Sequence, residues 1–367
     1  MIECGVYIHI PFCEKRCNYC NFFSSIYQKD VVERYVKELT REIRSVGSKD
    51  INVKTIYFGG GTPSLLSEQQ LFSIMDALYD AFTVRGEEIT IEVNPNSSDK
   101  LAFYKSCGIN RVSIGIQSTD DIFLKKMGRL HTAEEGLASL ENARRYFDNV
   151  SADIILGVDK RQDAGKEFYA LKDYVTHLSA YMLTLEEGTP LYRSVCAKNV
   201  AIATEDEVIS QYNTFVSVAE ANGFIRYETS NFAKNGMTSK HNSSYWDLTP
   251  YIGIGAGAHS YYNGKRYYNE PNIKEYIAGK HAGDHREMIE RGVSKEEDKY
   301  EYIMLALRMV QGVDRKRYNT LFGTDFAMEY ADLIKKMGKY LRVTDTNVNI
   351  SPEYFLVQNE IIRSILD

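Results

Sequence analysis

The sequence predicts an α/β protein built on a partial (β/α)6 barrel, followed by a small, mostly helical C-terminal domain of winged-helix-like outline. Three observations carry that expectation. Short apolar runs alternate with longer amphipathic stretches through the first half, which is how strand–helix units around a parallel sheet read in sequence. The length, 367 residues, accommodates two domains, or one barrel-sized domain with an appendage, and either can bury a real core. The chemically unusual residues fall where predicted strands end and loops begin, and in parallel barrels that end carries the chemistry.

Taken in order, six strands are expected over 6–10, 55–58, 89–93, 111–117, 152–157 and 178–185. Apolar positions recurring at three- and four-residue spacing predict helices over 31–46, 68–82 and 133–147. Cys13, Cys17 and Cys20 follow the first strand, Gly59 to Pro63 the second, Glu92 ends the third and Gln117 the fourth. Asp153 stands at the opening of the fifth and fits the pattern least well. From 186 to 285 the chain loosens into a Gly-, Asn- and Tyr-rich extension with one helix over 205–222. Its glycines at 253–257 lack the spacing and setting of a dinucleotide loop and read as a tight strand crossing. The charged run 287–299 leads to helices over 300–310, 315–322, 325–337 and 359–366, with a hairpin over 340–350. The expected division is a barrel core with the start of the extension at 1–230, the rest of the extension at 231–284, and the C-terminal domain at 285–367.

Composition narrows the function. With 44 Lys+Arg against 50 Asp+Glu, the formal charge is -6, and apolar residues make up 44%. A disordered chain is excluded, and a phosphate-binding surface as the main business is disfavoured, since such surfaces cluster Lys and Arg. No run approaches the roughly 20 apolar residues of a membrane span, and no basic-then-apolar signal segment opens the chain, so the cytoplasm is the expected compartment. Three of the six cysteines fall within eight residues, which in such a chain points to metal or redox chemistry rather than a disulfide frame.

That trio, Cys13, Cys17 and Cys20, has the spacing CxxxCxxC. Structural zinc takes four nitrogen or sulfur ligands. An iron–sulfur cubane held by three cysteines keeps one iron open, as a reactive cluster requires. A zinc knuckle completed by His9 or Cys4, or simply buried thiols, is the blander alternative. Phe58 to Pro63 carries three glycines at a strand end, where backbone can approach a ligand and leave its N–H and C=O groups free. Glu92, Gln117, Arg129 and Asp153 are polar residues at or near strand ends. Acids there suit an ammonium or a ribose diol, and an Arg pairs with a carboxylate through its planar fork.

The cysteine loop closely resembles that of the radical S-adenosylmethionine (SAM) enzymes. The resemblance implies a TIM-like partial barrel of the radical SAM type and a [4Fe-4S] cluster on Cys13, Cys17 and Cys20. It further implies that the open iron chelates the amino and carboxylate groups of SAM, whose sulfonium an electron from the cluster cleaves to a 5′-deoxyadenosyl radical. Further stretches run in order: YIHIPF at 7–12, GGGTPS at 59–64, SIGIQS at 113–118, GRLH at 128–131, YMLTLEEGT at 181–189, YETSNF at 227–232, HNSSYW at 241–246 and GIGAGAH at 253–259. Together they resemble the oxygen-independent coproporphyrinogen III oxidase group, and within it the HemW heme-chaperone branch, over nearly the whole chain. By that likeness Tyr7, Gly60, Gly61, Thr62, Glu92, Gln117, Arg129 and Asp153 are SAM-binding positions.

Two features separate the branches. The oxidase pattern has another cysteine two places after the third, where this chain has Phe22, and it has a segment ahead of the first strand, whereas Tyr7 here comes almost at once. The HNxxYW pattern adds His241 as the heme ligand, because a neutral imidazole suits heme iron, with Tyr245 and Trp246 to lie against the macrocycle. In one respect the chain departs from the pattern. Related sequences follow the fifth strand with Gly-Leu-Pro-Gly-Gln-Thr, whereas here Gly157 leads into VDKRQDAG, which implies a loop of different shape. Cys4, Cys107 and Cys196 are expected to be unligated. The leading expectation is thus a heme chaperone with a [4Fe-4S] cluster, SAM and heme as cofactors. Its expected partners are recipient hemoproteins, including membrane-bound respiratory enzymes met at the membrane periphery, and an electron donor such as flavodoxin or ferredoxin. The resemblance allows a homodimer. The alternative is the oxidase itself, an oxidoreductase decarboxylating two propionates of coproporphyrinogen III; whether SAM is cleaved or only bound stays open. Radical modification of RNA is disfavoured by the charge and by the absence of a basic appended domain, so nucleic acid is not an expected partner.

Overall fold

The computed structural model describes residues 2–280, 287–288 and 294–366. The expected boundary at 284–285 and residues 289–293 of the charged run lie outside the described residues. The six expected strands form as β1 (Ile2–Ile10), β2 (Ile51–Gly60), β3 (Thr83–Val93), β4 (Arg111–Gln117), β5 (Asn149–Leu156) and β6 (His177–Met182), each parallel to the next. Around them run α1 (Lys29–Val46), α2 (Glu68–Ala81), α3 (Leu101–Ser106), α4 (Asp121–Met127), α5 (Ala133–Arg144) and α6 (Ala164–Leu171). Ser67 with Gln70 and Thr132 with Glu135 form capping boxes that start α2 and α5 where the apolar periodicity begins. β5 opens at Asn149, earlier than predicted, so Asp153 lies inside the strand and not at its opening.

The chain continues through α7 (Pro190–Cys196), α8 (Glu205–Ala221), β7 (Ile225–Arg226), β8 (Asn231–Ala233) and α9 (Lys240–Trp246). A parallel strand absent from the sequence expectation follows, β9 (Tyr251–Ile254), which pairs with β1 on its free side. With β10 (His259–Tyr262), β11 (Lys265–Tyr268) and β12 (Glu287–Met288) it completes a 12-stranded sheet of order β12-β11-β10-β9-β1-β2-β3-β4-β5-β6-β8-β7, an open barrel with antiparallel edges. The expected tight crossing at 253–257 is the turn-back from β9 to β10: a Cβ on Gly253 would stand 2.0 Å from the His259 carbonyl oxygen.

What positions the site is the alternation along the parallel strands. Val6, Ile8, Ile56, Phe58, Ile89, Ile91, Val112 and Ile114 are fully buried in the main apolar core beneath the helices. The intervening positions face the barrel interior and are mostly polar: Tyr7 and His9, Thr55 and Tyr57, Glu88 and Glu92, Arg111 and Ser113, Ser151 and Asp153, His177 and Ser179. Most barrels fill this space with branched apolar side chains. Here it is a column of hydrogen-bonding groups, which requires each to find a partner or a ligand.

After α10 (Ile273–Ile277), the C-terminal region forms α11 (Lys295–Ala306), β13 (Val313–Asp314), α12 (Arg315–Phe322), α13 (Phe326–Glu329), α14 (Ala331–Met337), β14 (Leu341–Val343), β15 (Asn347–Ile350) and α15 (Gln358–Leu366). The expected hairpin is present, and the helix expected over 325–337 is broken at Tyr330. Tyr302, Ile303, Leu307, Tyr318, Phe326 and Ile362 build a separate core, which Leu248 joins from the turn after α9. No helix among the described residues is long and apolar enough to cross a membrane.

Candidate functional site

A cavity of about 410 Å³ opens at the C-terminal ends of the parallel strands. The β1–α1 loop supplies Cys13, Cys17 and Cys20, the end of β2 supplies Gly60, Gly61 and Thr62, and Glu92, Gln117, Arg129 and Asp153 come in from β3, β4, the turn after α4, and β5. Residues separated by more than a hundred positions in sequence thus line one wall-to-wall site, as expected. Gln117 holds a φ of 68°, a left-handed conformation unusual for a residue with a side chain and of the kind found at binding sites.

Two carboxylates make the deep end of the cavity. Glu92 accepts hydrogen bonds from the Tyr57 hydroxyl at 2.9 Å and from the Gly60 N–H at 3.3 Å. Burial, reinforced by the charge of Asp153, pushes its carboxyl up to about 7. Asp153 accepts from Ser113 Oγ, 3.1 Å from both its oxygens, and burial raises it too. Arg129 donates to Asn94 Oδ1 at 2.9 Å and to the Gly115 carbonyl at 2.7 Å, and its other terminal nitrogen stands 3.4 Å from Cys17 Sγ. Asn94, Ser113 and Tyr181 also line the cavity and Tyr57 supports Glu92 from behind, none of them singled out in the sequence reading; the polar–apolar alternation of β2 through β6 is the signal that points to Tyr57, Ser113 and Tyr181.

The donor set fits a cluster of several metal atoms better than one ion. Three soft thiols face a common cavity, the donor type that takes iron–sulfur clusters. The zinc-knuckle alternative fails on its fourth ligand. Cys4 is buried in the apolar core, with its thiol pushed up to about 12 by burial. His9 is hydrogen-bonded through Nδ1 to the Tyr7 hydroxyl at 2.9 Å and through Nε2 to the Phe23 carbonyl at 3.2 Å. The pair of half-buried acids, with an arginine on the same cavity, matches a ligand that is cationic at one place and carboxylated at another.

Some expectations need correction. The N–H groups of Gly60 and Gly61 are not free: one donates to Glu92 and the other to the Ile10 carbonyl at 2.9 Å. These glycines are required by close packing, since a Cβ on Gly60 would meet the His9 ring at 2.4 Å. Tyr7 does not line the cavity. It lies a layer below, its hydroxyl on His9 and its ring stacked on Tyr57 at 6.2 Å. The loop after Gly157 is well anchored. Asp159 pairs with Lys126 at 2.9 Å and with Arg161, and Gln162 bonds the Ile155 carbonyl at 2.7 Å and the Val158 N–H at 3.2 Å.

His241 lies apart from this cavity. It is fully buried in α9 at the opposite end of the barrel, with Nδ1 2.9 Å from Thr55 Oγ1 and Nε2 2.7 Å from the Tyr245 hydroxyl. Its ring stacks on Tyr57 at 5.2 Å, and burial, with Arg111 nearby, lowers its pKa to about 3. The imidazole is neutral, so one nitrogen carries the proton and the other a lone pair, and in this conformation the hydrogen bonds to Thr55 and Tyr245 engage both. Nor do Tyr245 and Trp246 form one aromatic face: Tyr245 turns inward against Tyr251, and Trp246 borders a cleft shared with α11 and α12. The carboxylate of Glu88 fixes α9 in place by accepting from the N–H groups of Lys240 at 2.8 Å and His241 at 3.0 Å.

Comparison with known proteins identifies the family and the fold. The family model of the radical SAM superfamily matches residues 7–171. A heme chaperone HemW of Bacillus subtilis is 34% identical over 99% of this chain and 99% of its own length, and one of Lactococcus lactis is 31% identical over 99% and 97%. The mitochondrial radical S-adenosyl methionine domain-containing protein 1 of Mus musculus is 39% identical over 70% of this chain and 60% of its own. The solved structure of coproporphyrinogen III oxidase (HemN) from Escherichia coli, described as a radical SAM enzyme, superposes with a TM-score of 0.81 over 99% of this chain and 90% of that one, at 18% identity, which shows a shared fold.

Proposed function

This chain belongs to the HemW family within the radical SAM superfamily, and from that premise we propose that it is a heme chaperone that holds a [4Fe-4S] cluster and SAM and passes heme to hemoproteins. The observation that carries the reading is the convergence of three thiols, an arginine and two half-buried carboxylates on one cavity. Cys13, Cys17 and Cys20 would hold the cluster; Gly60, Gly61, Thr62, Glu92, Gln117, Arg129 and Asp153 would hold SAM, with Tyr7 supporting them from beneath. A cluster with SAM bound supplies one-electron reduction at the sulfonium.

The chain's own contribution is binding and charge. Glu92 and Asp153 are half-buried in the cavity wall, so a cationic ligand gains more from them than it would from carboxylates in bulk solvent. Asn94 and the Gly115 carbonyl take the N–H groups of one Arg129 terminal nitrogen and so orient the guanidinium, with its other terminal nitrogen beside Cys17. Heme is the cargo. Ligation by His241 requires Tyr245 to release Nε2, so the Tyr245 hydroxyl is the latch on that ligand. The chain would act in the cytoplasm or at the membrane periphery, take its electron from a flavodoxin or ferredoxin, and work as a monomer or homodimer.

The test is anaerobic reconstitution with iron and sulfide, followed by titration with SAM and then with heme. Iron uptake by wild-type protein and heme uptake that Tyr245→Phe strengthens and His241→Ala weakens are expected. A colourless protein after reconstitution refutes the cluster, and heme bound equally by all three proteins places the iron ligand elsewhere. Formation of protoporphyrinogen from coproporphyrinogen III under reducing conditions would favour the oxidase reading, against which Phe22 stands at the cavity rim in place of the fourth cysteine.

A further inference from the structure

We propose that Asn18 is a positioning residue that clamps the cysteine loop between the ends of two helices. This rests on the reading that Cys13, Cys17 and Cys20 hold a cluster. Asn18 follows Cys17 directly, and it serves backbone groups that helix ends otherwise leave unpaired. At the C-terminus of α4 its N–H donates to the Met127 carbonyl at 2.8 Å and its Nδ2 to the Lys126 carbonyl at 3.0 Å. At the start of α7 its own carbonyl accepts the Leu191 N–H at 2.8 Å.

The neighbouring packing leaves Asn18 no other place. Gly128, which ends α4 with a φ of 77°, faces it so closely that a Cβ there would stand 2.9 Å from Asn18 Cγ. α4 is fixed in turn, because the ammonium of Lys126 is bound to Asp159 at 2.9 Å and to the Val158 carbonyl at 2.8 Å. Arg129, one residue beyond Gly128, reaches Cys17 Sγ at 3.4 Å. The stretch from Cys17 to Cys20 is therefore seated on α4 and α7 by contacts that involve none of the cysteine thiols except Cys17. Its geometry is set before any cluster arrives, and the entropy of ordering the loop is not charged to binding.

The experiment compares full-length wild type, Asn18→Ala, Gly128→Ala and the double variant after anaerobic reconstitution, reading the rate at which iron is lost to a chelator. Loss of one amide hydrogen bond should speed release by about threefold to tenfold in Asn18→Ala. Gly128→Ala should also speed release, and the double variant should fall short of the product of the two effects, because shortening residue 18 relieves the clash. Equal release rates for wild type and Asn18→Ala, or multiplicative effects in the double variant, would overturn the clamp. Should wild type take up no iron, the cluster reading fails separately, and the clamp is then judged by amide hydrogen exchange at Asn18 and Leu191 in metal-free protein. Faster exchange in Asn18→Ala supports it, and unchanged exchange refutes it.

Discussion

The two ends of this barrel are built from the same kinds of residue and do opposite things with them. At the mouth, Glu92, Asp153, Arg129 and Gln117 border a cavity of about 410 Å³ together with three thiols. At the floor, Glu88, Thr55, His241 and Tyr245 satisfy one another with no residue on that cavity. A polar barrel interior is thus not by itself a binding site. What separates site from core is whether the hydrogen bonds close within the protein, and at the floor they do. Arg111 stands between the two ends and belongs to neither. It is fully buried, and among the described residues its Nε and Nη1 have no hydrogen-bond partner. Burial works against its charge, but Glu88 and the surrounding phenols and Asp153 outweigh burial and hold the guanidinium protonated.

The comparison breaks most visibly if the ends cannot be damaged separately. Cys17→Ala should abolish iron uptake while leaving the unfolding free energy of the metal-free protein within about 1 kcal/mol of wild type. His241→Ala should do the reverse, lowering stability by about 2–4 kcal/mol through a lost stack and orphaned hydroxyls while iron uptake stays complete. Iron counts and chemical denaturation measure both. A His241→Ala protein that folds but takes up no iron would show that floor and mouth are one unit.

Arg111→Met is the next largest effect. It strands Glu88 and Asp153 without their nearest buried cation, and a loss of about 2–3 kcal/mol in denaturation is expected, with part of it restored by Arg111→Lys. A neutral outcome would mean that ordered solvent, rather than the guanidinium, balances the acids.

Much of this was legible in the sequence, for identifiable reasons. Strand and helix periodicity set β1 to β6 and α1, α2, α5 and α8 close to where they fall, and the cysteine spacing located the mouth. β9 was missed because a four-residue, glycine-interrupted run has too little pattern of its own; it is a strand because β1 offers it an edge. Asp153 was misplaced because Asn149 and Ser151 look like a loop until the inward face of the barrel is known to be polar. The partners of His241 were illegible for a deeper reason. The residue type announces a possible ligand, but whether its nitrogens are free depends on Thr55 and Tyr245, and Thr55 lies far away in the chain.

At the mouth, pH gives a sharper test. Burial raises Glu92 from an ordinary 4.5 to about 7, so between those values the folded protein holds a proton that the unfolded chain has lost. Its contribution to stability is complete below 4.5 and is lost as pH rises through about 7. A cationic ligand needs the ionised form, so SAM affinity should rise with pH over the same window, by up to about tenfold per unit, and level off above it. Glu92→Gln should flatten both profiles in denaturation and calorimetric titration. A wild-type affinity indifferent to pH between 5 and about 8 would remove Glu92 from the ligand site.

The smallest expected effect addresses Tyr57, which touches both ends. The Tyr57 ring stacks on His241, while its hydroxyl donates to Glu92 at 2.9 Å. That bond favours the carboxylate, so Tyr57→Phe should move the pH profile of SAM binding upward by less than about one unit, at a stability cost near 1 kcal/mol. The ring stays, so the floor should not respond and heme uptake should match wild type. If Tyr57→Phe shifts heme affinity as far as it shifts the SAM profile, Tyr57 carries free energy between the ends, and reciprocity requires that bound heme alter SAM affinity by the same factor.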